Sequence, residues 1–192
     1  GPTASGKSAL AMRLAEKHEG EIISADSRAV YLDMNIGTAK PDQNDRRRIQ
    51  HWGLDLVRPD EHFTVADFKK YTTEKIDEIR SRGKTPFLVG GTGLYIDAII
   101  FDYKFGPKAD IKLREKLEKM SVEQLKEYCY KNNIKLPENN KNKRYLIRAV
   151  ERKDLPEAKN TTVIDNCIIV GISTDSAELR RRIEQRAVCI FQ

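Results

Sequence analysis

The chain opens on Gly1-Pro2-Thr3-Ala4-Ser5-Gly6-Lys7-Ser8. This run satisfies G-x-x-x-x-G-K-[ST] at every fixed position, the spacing of a P-loop. In that spacing the glycines let backbone amides face an anion. The loop then opens a helix whose N-terminus favours negative charge. Lys7 would reach the outer phosphates, and the Ser8 hydroxyl would ligate magnesium. All eight residues are therefore candidates for diphosphate or nucleotide binding, with Ser8 the candidate metal ligand and Mg2+ the implied ion. The plain alternative is a Gly-Lys-Ser turn without a ligand, and the flanking pattern speaks against it.

A P-loop needs a helix after it and a strand beside it. Residues 7–18 read as the helix, with Leu10, Leu14 and Ala15 on one face, and residues 21–26 read as a strand. That strand ends in Asp26, at the edge where an α/β sheet presents its ligands, so Asp26 is expected to face the phosphate site. The strand that should precede the loop is not in the sequence, which therefore reads as truncated at its N-terminus. Residues 35–41 carry turn chemistry at Gly37 and Pro41, and 42–49 predict a short helix with Arg46, Arg47 and Arg48 on a basic face. Thr64 followed by Asp67 resembles a capping box and predicts a helix over 64–82, with Val65, Phe68, Ile76 and Ile79 on one face and Gly83 as its stop. Residues 87–90 have the fully apolar pattern of a buried parallel strand. They run into Gly90-Gly91-Thr92-Gly93, a second glycine-rich turn on the P-loop edge, and a helix over 94–100 comes next.

Residues 107–160 change character. They predict three helices, over 111–120, 122–132 and 144–152, and carry no strand pattern. An apolar β run returns over 163–172, with a helix after it over 176–186. The reading is an α/β core formed by 1–106 and 161–192, interrupted by a helical insertion at 107–160. Charge obeys the same division. Residues 1–106 carry 16 Lys/Arg against 16 Asp/Glu, and 161–192 carry 4 against 4; 107–160 carry 15 against 9, which is the chain's entire net +6. A basic module attached to a neutral core suggests a polyanionic partner, the alternative being a solvated lysine-rich surface. No apolar run approaches the ~18 residues of a membrane span. The three cysteines, Cys129, Cys167 and Cys189, have no metal-like spacing, so reduced thiols in the cytoplasm are expected.

Several strings then point to one family. GPTASGKS at 1–8, DSRAVY at 26–31, MNIGTAKP at 34–41, HWGLDLVRPDEHFTVADF at 51–68, GGTGLYI at 90–96 and RYLIRAVE at 144–151 occur in the order found in tRNA dimethylallyltransferases, also called tRNA isopentenyltransferases, which the chain resembles. The resemblance implies a P-loop NTPase-like α/β core with a parallel sheet, and a helical insertion that grips the tRNA anticodon arm. It implies transfer of a dimethylallyl group from dimethylallyl diphosphate to the exocyclic N6 amine of the adenosine 3′ of the anticodon, with magnesium, by a cytoplasmic monomer. By the same resemblance Asp26 is the base, Thr92 orients the amine, and Ser27, Arg28 and Ala29 are RNA contacts beside them. Arg114 and the run Arg144, Tyr145, Leu146, Ile147 and Arg148 match positions that contact tRNA. Arg148 also has Glu151 and Glu157 within pairing reach.

The residues leave alternatives open. Asp26 could serve magnesium instead of the amine, Thr92 could be no more than a helix N-cap, and His51 and Trp52 could be packing residues. Ala29 stands where the family usually has glutamine. The stretch from Asp175, Arg186-Ala187-Val188 and the last four residues depart from the family's pattern, and the chain reads as truncated at its C-terminus too. Competing functions are an adenylate isopentenyltransferase, a small-molecule P-loop kinase, and an inactive RNA-binding remnant. The basic insertion disfavours the first of these, and GGTGLY with IGTAKP the second.

Overall fold

The computed structural model describes residues 1–38, 40–105, 110–153, 160 and 162–191. The chain divides into two compact units, Gly1–Tyr103 with Lys159–Gln192, and Lys104–Ala158.

The first unit is built on a parallel sheet of β1 (Gly20–Ala25), β2 (His51–Trp52) and β3 (Thr85–Gly90), in the order β2-β1-β3. Parallel neighbours require long crossovers. Here these contain α2 (Gln43–Arg48) and α3 (Val65–Ser81), while α1 (Lys7–Lys17) precedes the sheet and α4 (Gly93–Ile100) comes after β3. Alternate strand residues face opposite layers. Ile22, Phe87 and Val89 pack with Ala11, Met12 and Ala15 of α1. Ala25 and Leu88 pack with Phe68 of α3 and with Tyr95 and Ile99 of α4, and the rings of Phe68 and Tyr95 stack at 4.0 Å. Packing on both faces, with Phe87, Leu88 and Val89 half-buried, accounts for the unbroken apolar pattern of β3.

The capping box of α3 is present: the Thr64 hydroxyl accepts the Asp67 amide, and the Asp67 carboxylate accepts the Thr64 amide at 2.9 Å. In α1 the contact face is rotated from the expected one. Ala11, Met12 and Ala15 are buried, while Leu10 and Leu14 are half-buried; the two small alanines let the helix lie close on the sheet. The basic face of α2 is largely committed to ion pairs, Arg46 with Asp55 at 3.0 Å and Arg48 with Glu16 at 2.6 Å.

The second unit holds α5 (Ile111–Glu118), α6 (Val122–Lys131) and α7 (Lys143–Glu151). Asp110, Ser121 and Asn142 cap their N-termini, Ser121 in a full capping box with Gln124. Leu117, Leu125, Cys129, Leu146, Ile147 and Val150 pack into one small core. Burial pushes the Cys129 thiol pKa up, consistent with an inert core residue.

One expected strand is absent. Residues 163–172 form no strand, and Ile168, Ile169 and Val170 are 92%, 57% and 63% exposed. A strand persists only with a ladder partner, and among the described residues this run pairs with no strand; its Ile164 amide donates to the Ile100 carbonyl at 2.8 Å without continuing into a ladder. The chain continues into α8 (Ser176–Phe191), which passes the expected end at 186. Among the described residues no helix is long and apolar enough to cross a membrane.

Candidate active site

β1 and β3 pair in register, Ala25 opposite Gly90, so the residues after each strand emerge at one edge. The approach there is close. A Cβ on Gly90 would lie 2.1 Å from the Ala25 carbonyl oxygen and 2.7 Å from its Cβ, a space that admits no side chain. The Thr92 amide donates to the same carbonyl at 3.2 Å. Thr92 Oγ1 accepts the Ser27 amide at 3.0 Å and donates to Ser27 Oγ at 3.4 Å. Although Thr92 is the N-cap residue of α4, its side chain makes no capping bond. The hydroxyl is committed across the strand ends, so the N-cap reading of this side chain does not hold. Asp26 Oδ1 accepts the Arg28 amide at 2.8 Å, closing a tight turn; among the described residues Oδ2 accepts no hydrogen bond.

The P-loop reaches this edge. Ala4 and Gly6 take the left-handed conformation, with φ of 61° and 87°, and the turn exposes the start of α1. Ser5 is buried and its hydroxyl has no partner. Lys7 Nζ donates to the Pro2 carbonyl at 2.5 Å, curling back over the loop, and a Cβ on Gly91 would sit 3.9 Å from it. Burial lowers the Lys7 pKa, the Asp26 carboxylate opposes that change, and the Arg186 guanidinium on α8 adds to it. Lys7 thus sits within the fields of both Asp26 and Arg186. Arg186 was not among the expected site residues; the usable signal was a basic residue on the last helix of an α/β unit. Ser8 is exposed in the first turn of α1. A hard cation takes oxygen ligands, and magnesium commonly draws most of them from phosphates and water. Among the described residues no group of three His, Cys, Asp or Glu could hold a metal. The exposed Ser8 hydroxyl at the start of α1 is an oxygen donor of the kind that such a cation takes.

Around this centre, Ser27 is half-buried and Arg28 exposed. Ala29 is 3% exposed, its methyl lying in the core, and its carbonyl accepts the Asp55 amide at 3.2 Å. Asp55 in turn binds Lys40 Nζ at 2.6 Å, and Lys40 also donates to the Tyr31 carbonyl at 2.5 Å. These bonds tie the loop after β1 to the stretch beyond β2. Burial opposes ionisation of Asp55, but the hydrogen bonds from Lys40 and Arg46 outweigh it and hold the carboxyl below its usual range. Trp52 and His51 are half-buried on β2 and held within the unit: the indole N–H donates to Glu21 at 2.7 Å, and His51 Nδ1 lies 2.7 Å from the Ile49 carbonyl.

The remaining expected contacts lie in the second unit. Arg144, Tyr145 and Arg148 are exposed on α7 and Arg114 is half-buried on α5. Leu146 and Ile147 are 0% and 4% exposed and belong to the core of that unit. Arg114, Lys143, Arg144 and Arg148 line one shallow hollow. Glu157 lies outside the described residues.

A model of the IPP transferase family matches residues 29–192. The chain belongs to the IPP transferase family. It is 41% identical, over 97% of its length, to a tRNA dimethylallyltransferase of Acetivibrio thermocellus, and it spans 64% of that protein. The crystal structure of the full-length tRNA isopentenylpyrophosphate transferase from Bacillus halodurans superimposes with a TM-score of 0.70 at 36% identity, covering 100% of this chain and 64% of that one. A eukaryotic dimethylallyltransferase acting on tRNA shares the fold, with a TM-score of 0.81 at 24% identity over 51% of its own chain. The chain thus spans about 64% of the length of the curated relatives it matches.

Proposed function

We propose that this IPP transferase moves a dimethylallyl group from dimethylallyl diphosphate to N6 of the adenosine 3′ of a tRNA anticodon, and that it does so as a cytoplasmic monomer with magnesium. The observation that carries the reading is the convergence of Lys7, Asp26 and Thr92 on one sheet edge.

The chemistry rests on the groups present. The N6 lone pair is delocalised into the adenine ring, so the amine is a weak nucleophile and needs a base within hydrogen-bond reach. Asp26, whose Oδ2 accepts no hydrogen bond among the described residues, takes the proton as the bond from N6 to C1 of the dimethylallyl group forms. The C1–O bond breaks at the same centre, and its electron pair leaves with the diphosphate. Lys7 and the loop amides offset the charge that develops there. Magnesium, held by Ser8 and the phosphate oxygens when bound, would neutralise charge on the leaving group. The Thr92 hydroxyl, held by Ser27, orients the incoming amine. The target base has to leave its stack to reach such a site. Arg114, Arg144 and Arg148 supply the RNA grip in the other unit, which a mononucleotide acceptor would not need.

The test is transfer itself. Protein, magnesium and labelled dimethylallyl diphosphate are incubated with tRNA or with AMP, and the digested nucleosides are separated. Label on N6 of a tRNA adenosine is expected. Label on AMP but not tRNA would favour the adenylate enzymes, and label on neither acceptor would overturn the proposal.

A further inference from the structure

Glu151, the last residue of α7, has a side chain 6% exposed, yet among the described residues neither carboxylate oxygen accepts a hydrogen bond. A buried carboxylate without hydrogen bonds is costly, and an apolar residue of similar size would often be more stable there. What Glu151 does have is charge. Arg114 Nη1 of α5 lies 3.6 Å from Oε1, and Arg148 Nη1 of α7 lies 3.6 Å from Oε2. One carboxylate thus serves two guanidinium groups from two helices, one per oxygen. Both arginines remain substantially open beyond it, 41% and 62% exposed, on the hollow that they share with Lys143, Arg144 and one carboxylate, Glu118. Arg114 Nε donates to Glu118 Oε1 at 3.2 Å, whereas the two contacts with Glu151, at 3.6 Å, are charge contacts without hydrogen bonds, so the Nη donors of both arginines stay available for a ligand. The carboxylate also offsets the repulsion between the two cations.

We propose that Glu151 is a positioning residue for RNA binding: it sets Arg114 and Arg148 as a paired fork for one backbone phosphate. The inference rests on the tRNA reading above. Planar guanidinium donors suit a phosphate in bidentate fashion, provided their orientation is fixed.

The sign of one substitution separates positioning from net charge. Glu151→Gln adds one positive charge to a basic surface, so charge alone predicts tighter tRNA binding. Positioning predicts the reverse. The Kd for tRNA should rise about 10-fold, the low end of the loss seen when a group that orients metal ligands is removed, and the slope of log K against log salt should become shallower by about 0.7 to 0.9, one phosphate. In an Arg114→Ala/Arg148→Ala background the same change should no longer weaken binding. The measurement is tRNA affinity at several salt concentrations, with a thermal melt of each variant. Should Glu151→Gln fail to fold, Arg148→Lys carries the test, because it keeps the charge and loses the fork; a severalfold weaker Kd is expected. A folded Glu151→Gln, or an Arg148→Lys, that binds as well as wild type would overturn the positioning role and leave the RNA reading standing. A wild-type protein that binds no tRNA at any salt would overturn both.

Discussion

Gly90 sets the spacing on which the proposed chemistry depends, and replacing it with alanine is the sharpest test of the site. The new methyl carbon would sit 2.1 Å from the Ala25 carbonyl oxygen. Carbon–oxygen contacts settle near 3.3 Å, so the ends of β1 and β3 would have to part by about 1.2 Å. Thr92 rides on that end. Its amide bond to Ala25 and its 3.0 Å bond from the Ser27 amide would both be stretched past useful length. A displacement of about 1 Å in a positioning group costs about 10²-fold in rate, or about 2.7 kcal/mol of transition-state stabilisation. Stability should fall as well, by about 1–3 kcal/mol for overpacking. Gly93, three residues on, is the control: a Cβ there meets nothing within 4 Å and its φ is not positive, so Gly93→Ala should leave the rate within about threefold and the fold no less stable. Single-turnover transfer to tRNA, with urea melts of both variants, makes the comparison. Wild-type transfer by Gly90→Ala, or equal damage from the two substitutions, would refute the reasoning.

Asp26→Asn keeps the shape but cannot accept the amine proton; single-turnover transfer should fall by about 10² to 10⁴ while the Kd for tRNA stays put, and near-wild-type chemistry would assign Asp26 to magnesium instead. Lys7→Ala should weaken binding of dimethylallyl diphosphate and slow transfer, with tRNA affinity retained in a gel shift; parallel loss of both would deny the division of labour between the P-loop and the basic helices. A pH experiment addresses the far end of the sheet, where buried Glu21 accepts from Trp52 at 2.7 Å, Arg82 at 2.9 Å and Lys84 at 2.9 Å. Burial opposes its ionisation, but Lys84, Trp52 and Arg82 outweigh this and lower its pKa. The stabilisation is therefore complete above the unfolded carboxyl value near 4.3 and fades as pH falls through the folded one. Glu21→Gln should cost about 1–3 kcal/mol at pH 7, and the gap between the urea midpoints of mutant and wild type should close as pH falls through the lowered folded pKa of Glu21; a gap that ignores pH would exclude these pairs as its source.

The sequence was most legible where one local rule acts alone. The P-loop spacing, the Thr64–Asp67 box and the apolar Phe87-Leu88-Val89 run each state their own structure, and each element stands where it was expected. It was least legible where an element depends on a partner. β2 is two residues long, too short for any period, and exists through its pairing with Ile22 and Ile23. The run at 163–172 has strand composition, but composition reports a liking for burial and does not supply a ladder. The site divides in the same way. Asp26 and Thr92 are marked by their places after a strand and within a glycine turn. The bond from the Ser27 amide to Thr92, the field of Arg186 on Lys7 and the bridge at Glu151 all join residues far apart in sequence or on separate helices, and no local pattern announces them.

Register explains why the marked residues meet at all. In a parallel pair, strands that end level deliver their next residues to one edge, and β1 and β3 end level, Ala25 against Gly90. α1 packs its Ala11–Met12–Ala15 face on this sheet and leads toward the start of β1, so its own N-terminus, and the P-loop with it, lies toward the opposite edge, where Asp26 and Thr92 emerge. Nothing in the loops has to search for this arrangement. It is set by which residues of β3 face α1 and which face α3 and α4. A slip of one residue between β1 and β3 would move Thr92 by about 3.3 Å along the strand and turn Phe87 and Val89 from one layer to the other. The packing that forbids the slip is therefore the same packing that holds the Thr92 hydroxyl within reach of Ser27, and the geometry of the site is a consequence of the core.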